Sequence, residues 1–232
     1  VNCRNGVSSY EIARALGITQ KSAWFMLQRI RQALQESGTV KLGGPGSEVE
    51  VDETFIGGKA RNMHKARLRK LRREGSLTSG VGKTIVMGML ERDGKVAARV
   101  VPDRKTAALR DAIAETIDDG TLIYTDEYAT YPWAISNSYA HKVINHLEKY
   151  VDGTVHTQGI ENFWSLLKRG LSGTYVSVEP YHLFRYLDEQ AFRFNERKDT
   201  DQGRFGTVID QIVGKRLMYK NLIGAANAPN LP

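Results

Sequence analysis

The chain has 232 residues, is 41% hydrophobic and 25% charged, and carries a formal net charge of +7. That is enough globular chain to bury a core without staples. No apolar run approaches the roughly 18–20 residues of a membrane span, and a single cysteine, Cys3, excludes an internal disulfide or a cysteine-rich zinc site. The N-terminal VNCRNGVSSYE has no signal-peptide character, so a cytoplasmic, nucleoid-associated protein is expected.

Residues 1–40 read as a small helical unit. Ser8-x-x-Glu11 fits a capping box for a first helix bearing Ile12, Ala13 and Leu16, and Gly17 suits the turn. Thr19 can cap a second helix in which Ala23, Leu27, Ile30 and Leu34 make one buried stripe. Lys21, Gln28 and Arg31 point elsewhere on that helix. The outline is a helix-turn-helix whose second helix enters the major groove, with those three residues as expected DNA contacts. The alternative is a plain two-helix hairpin that packs on something else.

Residues 41–48, opening KLGGPGS, read as a linker. Strands follow at Val49–Ile56, Thr84–Leu90, Val96–Val101 and Leu122–Thr125, with an Asp93-Gly94 hairpin turn and an amphipathic helix over Thr106–Ile117. A short helix at Tyr131–Ser136 precedes a fifth apolar run, Val143–Ile144. Helices over 158–171, 179–197 and 204–220 complete the pattern. The expected fold is α/β: a mixed five-stranded sheet flanked by helices over 49–200, in the element order of a ribonuclease-H-like domain, with a C-terminal helix and tail at 201–232.

The basic excess is local. Between Lys59 and Glu74 stand eight Lys/Arg and one acid, which is the whole of the net charge. This basic loop, within 57–82, suits a phosphate backbone, with Lys65, Arg69 and Arg72 as expected contacts. GVGKT at 80–84 fails the phosphate-loop pattern, because Leu77 stands where it needs glycine, so no nucleotide cofactor is expected.

The carboxylates carry the chemistry. Asp52 shares one strand face with Glu50 and Thr54, and Asp126 follows the fourth strand, where open α/β sheets gather their sites. In HTQGIENFWSLLKRGLSG both Glu161 and Asn162 have the spacing of a third ligand. At 100° per residue, Ile160, Phe163, Trp164, Leu167 and Leu171 form the apolar arc. Glu161 and Lys168 flank that arc, while Asn162 and Arg169 lie on the far side, so Glu161 is favoured. Three converging carboxylates need cations, and hard oxygen donors select Mg²⁺ or Mn²⁺, two ions per site. Lys168, about 10 Å along the same helix face, is placed to hold a DNA phosphate. Neighbouring Glu53 and Glu127 face the other way and read as supporting groups. His141, His146 and His156 read as packed or surface imidazoles, with a supporting or proton-shuttle role as the alternative, and Trp133 and Trp164 as core, with stacking on an extruded base as the alternative for an exposed one.

GVSSYEIARALGITQKSAWFMLQRIRQAL, VEVDETFIGGK, the basic loop, GKTIVMGMLERDG, TDEYATY and HTQGIENFWSLLKRGLSGTYVSVEPYHLFRYLDEQAFRFNER together resemble bacterial insertion-sequence DDE transposases of the ISXO-like branch, over about residues 5–200. The resemblance implies metal-dependent hydrolysis at element ends followed by 3′-OH strand transfer into target DNA. It implies double-stranded DNA as partner and a homo-oligomer on DNA. Its metal-binding acids fall on Asp52, Asp126 and Glu161, and its helix lysine on Lys168. Some members have asparagine as the third residue, which keeps Asn162 open. Two other functions fit the sequence: a domesticated, non-catalytic DNA-binding protein, and a nuclease of the same fold that cuts without joining.

Overall fold

A computed structural model describes residues 3, 5–35, 41–58, 62–73, 82–126, 131–135, 137–144 and 157–223. Two helices open the chain, α1 (Ser9–Leu16) and α2 (Gln20–Leu34). Their ends form as the caps require: Ser8 Oγ accepts from the Glu11 amide, Gly17 takes φ +65°, and Thr19 Oγ1 accepts from the Ser22 amide.

The segment after α2 is not wholly irregular. β1 (Leu42–Gly43) pairs in parallel with β5 (Ile117–Asp118), apart from the main sheet. The main sheet comprises β2 (Glu48–Ile56), β3 (Thr84–Glu91), β4 (Val96–Val101), β6 (Leu122–Asp126) and β7 (Ala140–Ile144). Their order is β4-β3-β2-β6-β7. β4, β3 and β2 run antiparallel as hairpins, while β6 and β7 add in parallel to β2, giving the expected mixed five-stranded sheet.

Each face of the sheet is covered. Val49 and Val51 of β2, with Met87, Met89 and Ile123, meet α4 (Thr106–Thr116) and α5 (Tyr131–Ala134). Val86, Leu90 and Val96 on the other face meet α6 (Gln158–Gly170) and α7 (Leu183–Asn195). Leu183, Leu187, Ala191 and Phe194, spaced as one helical stripe, join this second core. Leu34 of α2, Phe192 of α7 and Val208 of α8 (Asp201–Ile212) form a third, smaller core. The short α9 (Tyr219–Leu222) follows. Among the described residues no helix is long and apolar enough to cross a membrane.

Four expectations change. The basic segment holds a helix, α3 (Lys65–Arg73), because Ala, Leu, Lys and Arg are all good helix formers. Trp133 is not core: its side chain is 73% exposed, while its neighbours Tyr131 and Ala134 supply the packing of α5. Gln28 and Arg31 do not face outward, since both are buried between α2 and α7. Gln28 Nε2 donates to the Tyr186 hydroxyl at 3.3 Å, and Arg31 Nε donates to Glu189 Oε2 at 2.7 Å. A polar side chain sits inside when a partner satisfies it, so neither residue is free to read a base. The predicted 204–220 helix forms as two pieces, α8 and α9, parted at Gly214, which takes φ +79°.

Candidate active site

The site is built on the sheet face covered by α6. Side chains alternate along β2, so Glu50, Asp52 and Thr54 share that face. β6 lies beside β2 with Glu50 opposite Tyr124, so Asp52 and Asp126 come two residues further along both strands. They are close enough for charge to couple them. Burial pushes the Asp52 carboxyl up to about 6; the nearby Asp126 charge adds to the rise, and a hydrogen bond from Trp164 opposes it. Asp52 Oδ1 also accepts its neighbour's amide, Glu53 N, at 2.7 Å.

Helix α6 is fixed against these carboxylates at two points. Thr157 stands at its N-cap without a side-chain hydrogen bond. Glu50 replaces it: buried in the sheet, its Oε2 accepts from the Ile160 amide at 2.9 Å, a carboxylate against the positive end of the helix. Arg92 Nε donates to the other Glu50 oxygen at 3.3 Å. Gly159 permits this approach, because a Cβ there would lie 2.5 Å from Leu90 Cδ2 and 2.9 Å from Glu50 Oε2.

One turn on, Trp164 Nε1 donates to Asp52 Oδ2 at 2.9 Å. The indole reaches Asp52 by crossing Gly88, the residue paired with Asp52 on β3, where a Cβ would meet the ring at 2.5 Å. The indole holds Oδ2 and the Glu53 amide holds Oδ1, so both Asp52 oxygens are positioned, each with a lone pair left for the site.

The structure thus brings Asp52 and Asp126 together but does not bring Glu161 into their cluster. Among the described residues no three His, Cys, Asp or Glu side chains come together as a metal would require. Glu161 stands exposed in the first turn of α6. Lys168 and Arg169 are exposed near the other end of the same helix. Asn162, also exposed, lines a cavity of about 690 Å³ that Glu50, Leu166, Gln190 and Arg193 line as well. Phe163, between the two sides, packs on Phe194 with ring centroids 5.5 Å apart.

Glu53 faces the opposite side of the sheet, as alternation predicts, and is itself buried. Arg104 Nη2 donates to its Oε2 at 2.9 Å. Burial raises its carboxyl while hydrogen bonding from Tyr131 and the Arg104 charge oppose the rise. His141 Nε2 and Thr125 Oγ1 lie 2.9 Å apart, which ties β7 to the end of β6 one residue before Asp126. Glu127, His146 and His156 lie outside the described residues, as does the side chain of Arg72. Lys65, Arg69 and Lys21 are exposed; the Lys21 ammonium sits 4.7 Å from the Tyr219 ring centroid.

Sequence reasoning missed Glu50, Gly88, Trp164 and Gly159 as parts of the site. One signal was present: Glu50 shares the face of Asp52, and an acid on a buried strand face needs a partner.

The donor set suits a hard divalent cation. Two carboxylates share a desolvated site and no described lysine or arginine pairs with Asp52, so a positive ion would relieve both burial and mutual repulsion.

Comparison with known proteins agrees with the geometry. A family model described as the ISXO2-like transposase domain matches residues 41–195, which include both aspartates and all of α6. An "Uncharacterized transposase-like protein" of Haemophilus influenzae is 31% identical over 108 residues, covering 47% of this chain and 87% of that protein. From the start of β1 to the end of α7, then, this chain belongs to the ISXO2-like family of DDE transposase domains.

Proposed function

We propose that the protein cuts and joins DNA at the ends of an insertion sequence, with Asp52, Asp126 and Glu161 as its catalytic carboxylates. The observation that carries this reading is the pairing of Asp52 with Asp126 on adjacent parallel strands, under a helix that Trp164 docks onto Asp52. Glu161 lies one turn before Trp164, on the Asp52 side of α6, whereas Asn162 serves the cavity against α7. That favours Glu161 as the third acid, completing the site as DNA and cations enter.

Mg²⁺ or Mn²⁺, two ions per site, would be held by Asp52, Asp126 and Glu161, and would supply charge neutralisation and Lewis acidity at the phosphodiester. Trp164 keeps Asp52 turned toward Asp126. Glu50 keeps the first turn of α6, and with it Glu161, at the level of the strand end. Lys168 and Arg169 on α6, and Lys65 and Arg69 on α3, are exposed cations for the phosphate backbone. In the reaction, a water oxygen bonds to phosphorus at the element end and the 3′ oxygen leaves as a hydroxyl. That hydroxyl then attacks a target phosphorus and displaces a 3′ oxygen there, so bonds made equal bonds broken. α1 and α2 present an exposed edge with Arg14, Lys21 and Arg29 for duplex contact. Holding two ends at once requires a homo-oligomer on DNA.

The test uses a duplex carrying the terminal repeat found flanking the gene. Wild type should nick it with Mg²⁺ and join a pre-nicked end to target DNA, and Asp52→Asn should do neither while still binding. Cutting by Asp52→Asn would remove the site assignment. Cutting without joining by the wild type would make the protein a nuclease, and metal-indifferent binding without cutting would make it a DNA-binding protein only.

A further inference from the structure

The chain past α6 takes an uncommon path. Leu171–Tyr175 forms a π-helical turn, a rare element that concentrates at functional sites. Val176 follows with φ +62° and ψ −53°. The Ser177 amide donates to the Tyr175 carbonyl at 2.6 Å across it. That is a γ-turn with positive φ at its centre, the strained form, occupied by a β-branched residue that resists it. The strain is locked in from both sides. The Tyr175 hydroxyl donates to Glu189 Oε1 at 2.8 Å, Thr174 Oγ1 donates to the Asn5 carbonyl at 2.9 Å, and Val178 packs into the core under α6.

What the strain delivers is an apolar side chain to solvent. Val176 is 79% exposed, the second most exposed of the large hydrophobic residues described. It stands on the rim of a groove of about 390 Å³ between the end of β2, at Gly57 and Gly58, and the 171–178 segment. Among the described residues Lys168 is the charged one in that groove and no acid lines it. Ser172 and Ser177 add exposed hydroxyl-bearing residues, and a Cβ at Gly58 would meet nothing within 4 Å, so the backbone there is open to a ligand. The basic helix α3 begins seven residues after Gly58. Cationic and acid-free walls, open glycine backbone and one projecting apolar residue are together complementary to a nucleic-acid strand: phosphate to the lysine, base stack to the valine.

We propose that Val176 is a wedge that enters the DNA base stack while Lys168 holds the adjoining phosphate in this groove. The inference rests on the DNA-cutting reading above and adds a step to it, a local unstacking of the duplex next to the site. Apolar wedges of this kind open a base step by exchanging stacking for contact with the side chain.

The experiment places 2-aminopurine at successive positions of the terminal-repeat duplex and measures its fluorescence on binding the full chain in EDTA, where no cutting occurs. Wild type should brighten the probe at one step. Val176→Gly accepts this backbone without a Cβ, and Val176→Asn replaces a β-branched side chain with an unbranched one, so the first should melt at or above the wild-type temperature and the second close to it. They should bind the duplex within about threefold, because the phosphate contacts remain, yet lose the fluorescence rise. Val176→Leu should keep it. With Mg²⁺, the asparagine variant should cut about tenfold more slowly on an intact duplex and regain wild-type rate on one carrying a mismatch at that step. An unchanged rise with Val176→Asn, no rise with the wild type at any position, or a shift in sedimentation without loss of the rise (a protein–protein contact) overturns the proposal. The two readings separate cleanly. If Asp52→Asn still cuts but the rise depends on Val176, the site assignment falls and the wedge stands. If Asp52→Asn is dead and Val176→Asn is indistinguishable from wild type, the wedge falls alone.

Discussion

Glu189 and Asp52 are both largely buried carboxylates, and the protein surrounds them in opposite ways. Glu189, on α7, takes hydrogen bonds from Arg31 Nε at 2.7 Å, Arg193 Nη2 at 2.7 Å and the Tyr175 hydroxyl at 2.8 Å. Arg31 is itself stacked over Tyr186, 4.0 Å from the ring centroid. Burial would raise the Glu189 carboxyl, but the two guanidiniums outweigh it and hold the group below the usual range. Asp52 has an indole and an amide for partners and a second carboxylate for a neighbour, and rises to about 6. One negative charge is neutralised by the chain; the other is left for something the chain does not contain. Breaking a buried ion pair of the first kind leaves an unpaired charge inside, whereas uncompensated charge of the second kind suits the approach of a cation.

The largest expected effect breaks the second member of this comparison. Asp52→Asn should lower end cleavage by at least about a thousandfold, several kcal/mol of transition-state stabilisation. Its melting temperature should stay level or rise, because a desolvated charge beside Asp126 has gone. A mutant that both unfolds and loses activity would make Asp52 structural, like Glu189. The mirror experiment is Glu189→Ala, which leaves Arg31 buried and unpaired. It should cost about 3–5 kcal/mol in denaturant unfolding. Acid should imitate it. The folded pKa lies below the unfolded one, so the Glu189 contribution is whole above the ordinary glutamate range and is lost as pH falls through the folded value. Loss of α2–α7 contacts should therefore appear below about pH 4 in amide exchange.

Asp188 tests whether burial alone makes a site. Burial pushes its carboxyl up to about 7, against the attraction of Arg185 and Lys215. With the folded pKa raised, stability falls as pH rises from about 4 to about 7. Asp188→Asn should then stabilise the protein at pH 8, by at most about 4 kcal/mol, and change little at pH 4. Cleavage should not change, because among the described residues the charges that act on it are those of Arg185 and Lys215 and not a second acid; a loss of cleavage would break the rule drawn from the first pair. Trp164→Phe sharpens that rule with the smallest change. It keeps an aromatic ring in the core but removes the N–H donated to Asp52 together with the outer-ring atoms over Gly88. A hydrogen bond to a charged group contributes about 1.5–3 kcal/mol. Cleavage should fall by about ten- to a hundredfold through kcat, with KM for DNA unchanged; an equal fall with Trp164→Ala at unchanged stability would confirm that the bond, not the bulk, is what counts.

Much of the fold was legible in the sequence because its signals are local. The alternation in EVEVDETFI, the Asp93-Gly94 turn, and the caps at Ser8 and Thr19 each depend on residues a few positions apart. The pairing face of β2 and the apolar arc of α6 were readable for the same reason. What escaped depends on partners far along the chain. Gln28 and Arg31 look like an exposed helical face until α7 is laid against them, 158 residues later. Trp164 looks like a core residue, and is one, but its N–H reaches Asp52 across 112 positions. Gly88 and Gly159 carry no pattern at all; only the ring and the carboxylate lying against them show why they are glycine.

The buried contact of Arg31 with Glu189 has a consequence for how DNA is measured. α2 shares interior packing with α7, and α7 shares it with α6, the helix that meets Asp52. The exposed edge of the N-terminal helices and the strands that carry Asp52 and Asp126 are therefore joined through one run of interior packing. On the proposed function, a duplex held at both places would be cut at a set number of base pairs from the sequence it presents to α1 and α2. Adding or removing half a helical turn between those two positions would then rotate the scissile phosphate to the far side of the duplex, out of reach.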